Sequence, residues 1–215
     1  MNSQQHNSNS SVTEIYAGRQ HYQVEGLDYS PEGYILNVSP QESKCWLLNI
    51  TELYSHIALR ECLIAGILCN NSGLKNHQGR WIVIGNPLEG ASIAAASKVR
   101  LCQSSWQQLM PKLDTFSCTS EFHYMATLHS NIEGKTIYLK GAPKTILPLT
   151  QKMLDANGNL IDLDRELVAR ETESMLEDSL QVVAFAKKQV SAKKTWLERA
   201  DFESEFVFLG LQGIN

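Results

Sequence analysis

The sequence predicts an α+β domain with a mostly antiparallel sheet. Strand-like runs follow one another in groups, and helix-like runs fall between some groups rather than after every strand, as a parallel doubly wound sheet would require. The bulk is sufficient as well: 215 residues, 43% hydrophobic and 20% charged, support one sizeable core. No internal repeat is present.

The opening stretch "MNSQQHNSNSS", residues 1–11, is polar and has no hydrophobic region. It reads as a disordered or artificially added tail rather than a signal peptide, which leaves 12–215 as the domain. "TEIYAGRQHYQVEG" has aromatic and β-branched residues broken by Ala-Gly and predicts a hairpin. "DYSPEGYILNVSPQES" reads as a Pro- and Gly-containing loop. From about residue 50 to 70, "ITELYSHIALRECLIAGILCN" has helical apolar spacing and stops at Asn-Asn-Ser-Gly. "RWIVIG", 80–85, is a short strand.

"NPLEGASIAAASKVRLC" predicts a helix with Asn86 as N-cap, Pro87 first and Glu89 third, where Glu89 could close a capping box on the Asn86 amide. Three strand candidates follow, "KLDTFSC", "FHYMATLHS" and "KTIYLK", with Asn-Ile-Glu-Gly turning between the last two. Pro143 opens a short helix. "DANGNL" separates it from a long helix at about 162–179, and the chain closes with strands "QVVAFAKK" and "EFVFLGLQG".

Composition excludes several function classes. A net charge of -4 offers no basic stripe to displace counterions, which argues against nucleic-acid binding. No apolar run reaches the roughly 18–20 residues a membrane helix needs, so no direct membrane insertion is expected. The five cysteines form no CxxC pair, and the histidines show no ligand-like spacing, so no metal site is expected. Cys62 and Cys69 share one helix face and read as buried reduced thiols, in keeping with a reducing cytosol.

"IYLKGAPKTI", 137–146, places a cation at a strand end beside Gly-Ala-Pro. Such a site suits an anionic or aromatic ligand close to the backbone, and equally an ordinary strand-to-helix turn with a solvated lysine.

Three stretches bear on that choice together. "GNPLEGASIAAA" (85–96), "SEFHYMATLH" (120–129) and "YLKGAPKTIL" (138–147) occur in the order seen in the nucleotide-binding domain of P-type cation-transporting ATPases. "VTEIYAGRQHYQVEG", "LQVVAFAKK" and "FVFLGLQGI" resemble that family's flanking strands, so the resemblance covers Val12 to Ile214. It is most similar to calcium- and sodium/proton-type pumps, bacterial ones included.

The resemblance implies a twisted antiparallel sheet with helices on both sides, cytoplasmic, binding ATP (Mg-ATP in the parent pump) and partnered by phosphorylation and actuator domains. It implies that Lys140 is the pocket lysine, that Gly141 and Ala142 let the purine approach, that Glu89 bonds near the adenine and that Met125 is an apolar wall. Ser120 and His123 stand where animal calcium pumps have arginine and lysine. Lys144 replaces the usual glutamate, and Asn86 the common aspartate.

Two departures matter more. Cys118 stands where the family has a phenylalanine that stacks on the base, a contact worth about 1–3 kcal/mol. Phe116 and Phe122 share its strand parity, and core packing is the preferred reading of both. Gln181 replaces an arginine and forgoes a charge-assisted bond of about 1.5–3 kcal/mol. If additive, the two losses total about 2.5–6 kcal/mol.

No Asp-Lys-Thr-Gly, Thr-Gly-Asp or Walker-type Gly-Lys-Ser/Thr motif occurs, so no catalytic activity is expected of this chain alone. An excised or truncated nucleotide-binding domain is the expectation. The alternative is a stand-alone remnant with an eroded pocket, which no longer binds nucleotide and acts through protein contacts.

Overall fold

The computed structural model describes residues 10–26, 28–39, 44–48, 50–117, 123–132 and 134–215. Strand β1 (Val12–Ala17) pairs antiparallel with β2 (Gln20–Glu25), closing at Ala17 opposite Gln20. The two turn residues have positive φ, Gly18 at 63° and Arg19 at 62°, the type I′ geometry whose twist matches a two-residue hairpin. The expected hairpin is therefore present.

The stretch expected as a loop instead contributes β3 (Tyr34–Ser39), which pairs with β2, and is followed by β4 (Lys44–Leu47). The helix expected over 50–70 divides into a single turn α1 (Ile50–Leu53) and α2 (Ile57–Leu68). At the break, Tyr22 hydroxyl meets His56 Nδ1 at 2.9 Å. Nine of the twelve α2 residues are buried, so it is a central helix rather than an amphipathic one. Cys62 lies within it and Cys69 directly follows, both fully buried free thiols.

A separate hairpin follows, β5 (Gly73–His77) and β6 (Arg80–Ile84), of which only the second strand was expected. Helix α3 (Pro87–Lys98) begins as the sequence predicts: Asn86 Oδ1 accepts from Leu88 N–H at 2.9 Å and Pro87 takes the first position. It ends at Lys98, and 103–109 form a further helix α4 (Gln103–Leu109). The three expected strands are β7 (Lys112–Phe116), β8 (Tyr124–Asn131) and β9 (Gly134–Gly141).

After the short helix α5 (Pro143–Ile146), the "DANGN" turn proves to be the tip of a small hairpin, β10 (Thr150–Leu154) with β11 (Leu160–Asp162). Helix α6 (Arg165–Glu177) is capped by Asp164, and β12 (Gln181–Val190) and β13 (Phe206–Ile214) complete the chain. Of the residues read as a tail, Ser11 is joined to Asn215, its N–H donating to Oδ1 at 2.8 Å; 1–9 lie outside the described residues.

The main sheet runs β4-β3-β2-β1-β13-β12-β9-β8-β7, every neighbour antiparallel. Strand β10 joins parallel to β13. The α+β, mostly antiparallel class is thus observed.

Alternation along the central strands, interrupted by bulges in β1 and β13, builds two cores. Ile15, Met125, Tyr138, Phe185 and Leu209 face α2 and α3, whereas Tyr16, Ala126, Leu139, Ala184 and Phe208 face α6 and the β10–β11 side. Gly90 lets α3 press on β6: a Cβ there would lie 2.1 Å from Val83 Cγ2. Among the described residues no helix is long and apolar enough to cross a membrane.

Candidate functional site

A cavity of about 350 Å³ opens on the α2–α3 face, where the start of α3 meets the adjoining ends of β8, β9 and β12. Leu88, Met125, Val183 and Phe185 supply apolar wall, and Glu89, His123 and Lys140 supply polar groups. Gly141 and Ala142 complete the β9 edge. Strand pairing explains the convergence: Met125 stands opposite Lys140, and Lys140 opposite Phe185, in three neighbouring strands.

Lys140 Nζ donates to Glu89 Oε1 at 2.6 Å, and both side chains are largely buried, 14% and 13% exposed. The other carboxylate oxygen accepts from Ser72 Oγ–H at 2.6 Å and from Asn71 N–H at 3.1 Å. Burial alone would raise the Glu89 pKa. Lys140 and the two hydrogen bonds outweigh it and hold the carboxyl below its usual range. Glu89 is thus an ionised acceptor beside a cation in a largely buried corner of the cavity.

The capping box on Asn86 is not formed. Asn86 N–H donates to Ser72 Oγ at 2.8 Å, which leaves the Glu89 carboxylate free to turn toward β9. Asn70, 1% exposed, ties this corner together: its Nδ2 donates to Gly66 O and Glu89 O, and its Oδ1 accepts from Ser72 N–H at 2.8 Å. Lys112 Nζ reaches the same loop from β7, donating to Asn70 O and Asn71 Oδ1. Burial pulls its pKa down.

Gly141 has a role that the sequence did not reveal. A Cβ at that position would lie 2.7 Å from His123 O and 3.1 Å from Tyr124 Cβ, so the missing side chain first serves the close approach of β8 to β9. The cavity borders it only secondarily.

Six of the expected positions, Glu89, His123, Met125, Lys140, Gly141 and Ala142, therefore line one cavity. Gln181 does not line it. It is exposed at the start of β12, on the face shared by Val183 and Phe185. Cys118, Ser120 and Phe122 lie outside the described residues. Phe116 packs in the second core, its ring 4.8 Å from Phe202 and 6.1 Å from Tyr124, as the packing reading expects.

Sequence reading saw Asn71 and Ser72, between α2 and β5, only as part of the Asn-Asn-Ser-Gly helix stop and missed their place at the site. It also missed Phe185, which sits inside the quoted "QVVAFAKK" and is identifiable only through its pairing with Lys140. Among the described residues no cluster of three or more His, Cys, Asp or Glu could hold a metal.

Similar proteins share this arrangement of sequence. The chain is 38% identical over 203 residues to a cation-transporting ATPase, pma1, of Synechocystis, aligning 94% of this chain with 22% of the relative. It is 34% identical over 130 residues to probable cation-transporting ATPase F of Mycobacterium tuberculosis, aligning 60% of the chain with 14% of that protein. A calcium-transporting ATPase of Bacillus subtilis matches at 28% over 211 residues, again 94% of this chain and 22% of the relative. The chain thus spans less than a quarter of the length of these relatives. The family model described as P-type ATPase, cytoplasmic domain N, matches residues 58–215. With most of its length matched, the chain belongs to the cytoplasmic N-domain family of P-type cation-transporting ATPases.

Proposed function

We propose that the cavity between α3 and the β8–β9–β12 edge binds the adenine nucleoside part of ATP, on behalf of a longer cation pump. The observation that carries this is the joining of Glu89 and Lys140 as an ionised pair beside apolar walls of Met125, Val183 and Phe185. A purine offers apolar faces and an edge with both donors and acceptors. The recess offers the complement: apolar sides, a carboxylate acceptor and an ammonium donor.

The fit favours a base and sugar over a whole triphosphate. About 350 Å³ lies at the small end of ligand pockets, and a triphosphate would extend toward solvent. Of the described residues lining the cavity, Phe185 is 1% exposed, and the Tyr124 ring is turned into the second core against Phe116 and Phe202, so neither ring offers a broad stacking face. Together with an uncharged Gln181, this points to weak binding, in the range where concentrated nucleotide is needed for occupancy.

In the longer protein this domain would lie on the cytoplasmic side. There it would present Mg-ATP to a phosphorylation domain, with an actuator domain as a further partner. The chain's own residues bind and orient; the phosphorylated group would lie in another domain.

Titration of the 15N-labelled chain with ATP tests the reading. Amide shifts are expected around Glu89, Met125, Lys140 and Val183 at millimolar nucleotide. If these amides stay still while the spectrum remains that of a folded protein, the nucleotide reading is wrong.

A further inference from the structure

We propose that Ser72 is a positioning residue for this pocket: its hydroxyl occupies the helix-cap amide that Glu89 would otherwise take, and so holds Glu89 against Lys140. The proposal rests on the nucleotide reading only for its functional consequence.

Glu89 is at the third position of α3, where a glutamate ordinarily turns back to the N-cap amide. Here that amide, Asn86 N–H, is 2.8 Å from Ser72 Oγ. The same hydroxyl donates its proton to Glu89 Oε2 at 2.6 Å. One oxygen atom thus replaces the glutamate at the cap and pulls on it from the opposite side.

Ser72 is itself held rigidly. Its N–H donates to Asn70 Oδ1 at 2.8 Å, its carbonyl accepts from Gln103 Nε2 at 2.9 Å, and it is 7% exposed. Gly85 makes room for the hydroxyl: at φ +120° a Cβ there would lie 2.3 Å from Ser72 Oγ. The torsion that orients a glutamate carboxylate is broad, so a fixed donor is what selects its plane. With Oε2 anchored by Ser72 and Asn71 N–H, Oε1 is left toward Lys140 Nζ. Remove the hydroxyl, and Asn86 N–H loses its acceptor just as Glu89 loses its anchor. The capping box then becomes the natural resting place of the carboxylate.

The groups around Glu89 that titrate or carry charge are Lys140 on β9, Lys112 on β7, the Cys69 thiol after α2 and His123 before β8. Glu89 is the one carboxylate among them, so carboxylate NMR follows its protonation by itself.

The test uses Ser72→Ala, Ser72→Thr, Glu89→Gln and the S72A/E89Q double variant. In the ligand-free protein, carboxylate NMR of S72A is expected to show the Glu89 midpoint moving up. The Asn86 amide should begin to titrate together with Glu89, which it does not contact in the parent. S72T, which keeps the hydroxyl, is expected to restore the parental behaviour. With ATP, S72A is expected to weaken binding about ten-fold in the parent and less than about two-fold in E89Q.

A merely structural serine would weaken binding equally in both backgrounds and leave the Asn86 amide insensitive to Glu89; that pattern overturns the proposal. Should S72A not fold, Ser72→Cys, similar in size and a weak donor, is read by the same two measures. If the parent binds no ATP, the nucleotide reading falls. The ligand-free titration still decides whether Ser72 holds Glu89.

Discussion

Replacing Glu89 by glutamine tests the electrostatic core of the site, because the amide keeps the shape and fails on hydrogen-bond count. The carboxylate accepts from three donors: Lys140 Nζ at one oxygen, Ser72 Oγ and Asn71 N–H at the other. Glutamine has one acceptor oxygen and one donor NH2. If its oxygen takes the Ser72–Asn71 side, the NH2 confronts the Lys140 ammonium. If it faces Lys140, the NH2 confronts the Asn71 amide, so either rotamer leaves two donors facing each other.

The lost charge-assisted bond is worth about 1.5–3 kcal/mol, and the frustrated donor adds about 1 kcal/mol. Relief from desolvating the carboxylate takes part of this back. A net loss of about 2–3 kcal/mol is expected, below the roughly 3–5 kcal/mol for breaking a fully buried pair, because the cavity mouth admits water.

The pH dependence carries a sign. The folded Glu89 pKa lies below its ordinary 4.5, so its contribution is complete above that value and is lost as pH falls through the folded pKa. The gap between parent and E89Q in urea unfolding should therefore be full at about pH 7 and shrink at about pH 3.5. A gap under about 0.5 kcal/mol near neutrality, or one indifferent to acid, would refute this account of the site.

Three further outcomes follow from other parts of the molecule. Burial lowers the pKa of His129, 1% exposed with Nδ1 2.9 Å from Met110 O, and of His56, so the fold should lose stability as pH falls below about 6.5, by up to about 1.4 kcal/mol per pH unit for each; His129→Gln should flatten a melting-temperature profile over that window. Gln181→Arg adds a cation on the cavity face of β12 and is expected to tighten ATP about ten-fold without changing the melting temperature by more than about 2 °C; unchanged affinity would show that this strand end does not reach the phosphates. Gly90→Ala drives a Cβ into Val83 and should cost about 1–3 kcal/mol, with the companion Val83→Ala recovering part of it; additivity of the two losses would contradict the contact.

Local signals in this chain predicted local structure well. The β1–β2 turn, the Asn86–Pro87 start of α3 and the β8–β9 turn are each decided by a few adjacent residues whose backbone preferences no neighbour overrides. Strands β3, β5, β10 and β11 escaped because they are short and carry mixed polar and apolar residues. Their pairing partners, more than their own periodicity, make them strands.

Sequence by itself determined the α+β class, which follows from the order of strand-like and helix-like runs, and the family resemblance, which rests on three motifs in order. Glu89 and Lys140 stood out as candidate charges only through that resemblance. Only the tertiary structure decided what those charges do to each other. They lie 51 positions apart in the chain, and the 2.6 Å ion pair exists because packing brings the first turn of α3 to the end of β9. It also decided the contest between cap and pocket for Glu89, through a serine from a third segment. Hydrogen bonds of that kind depend on distances of tenths of an ångström between elements remote in sequence, and only packing sets such distances.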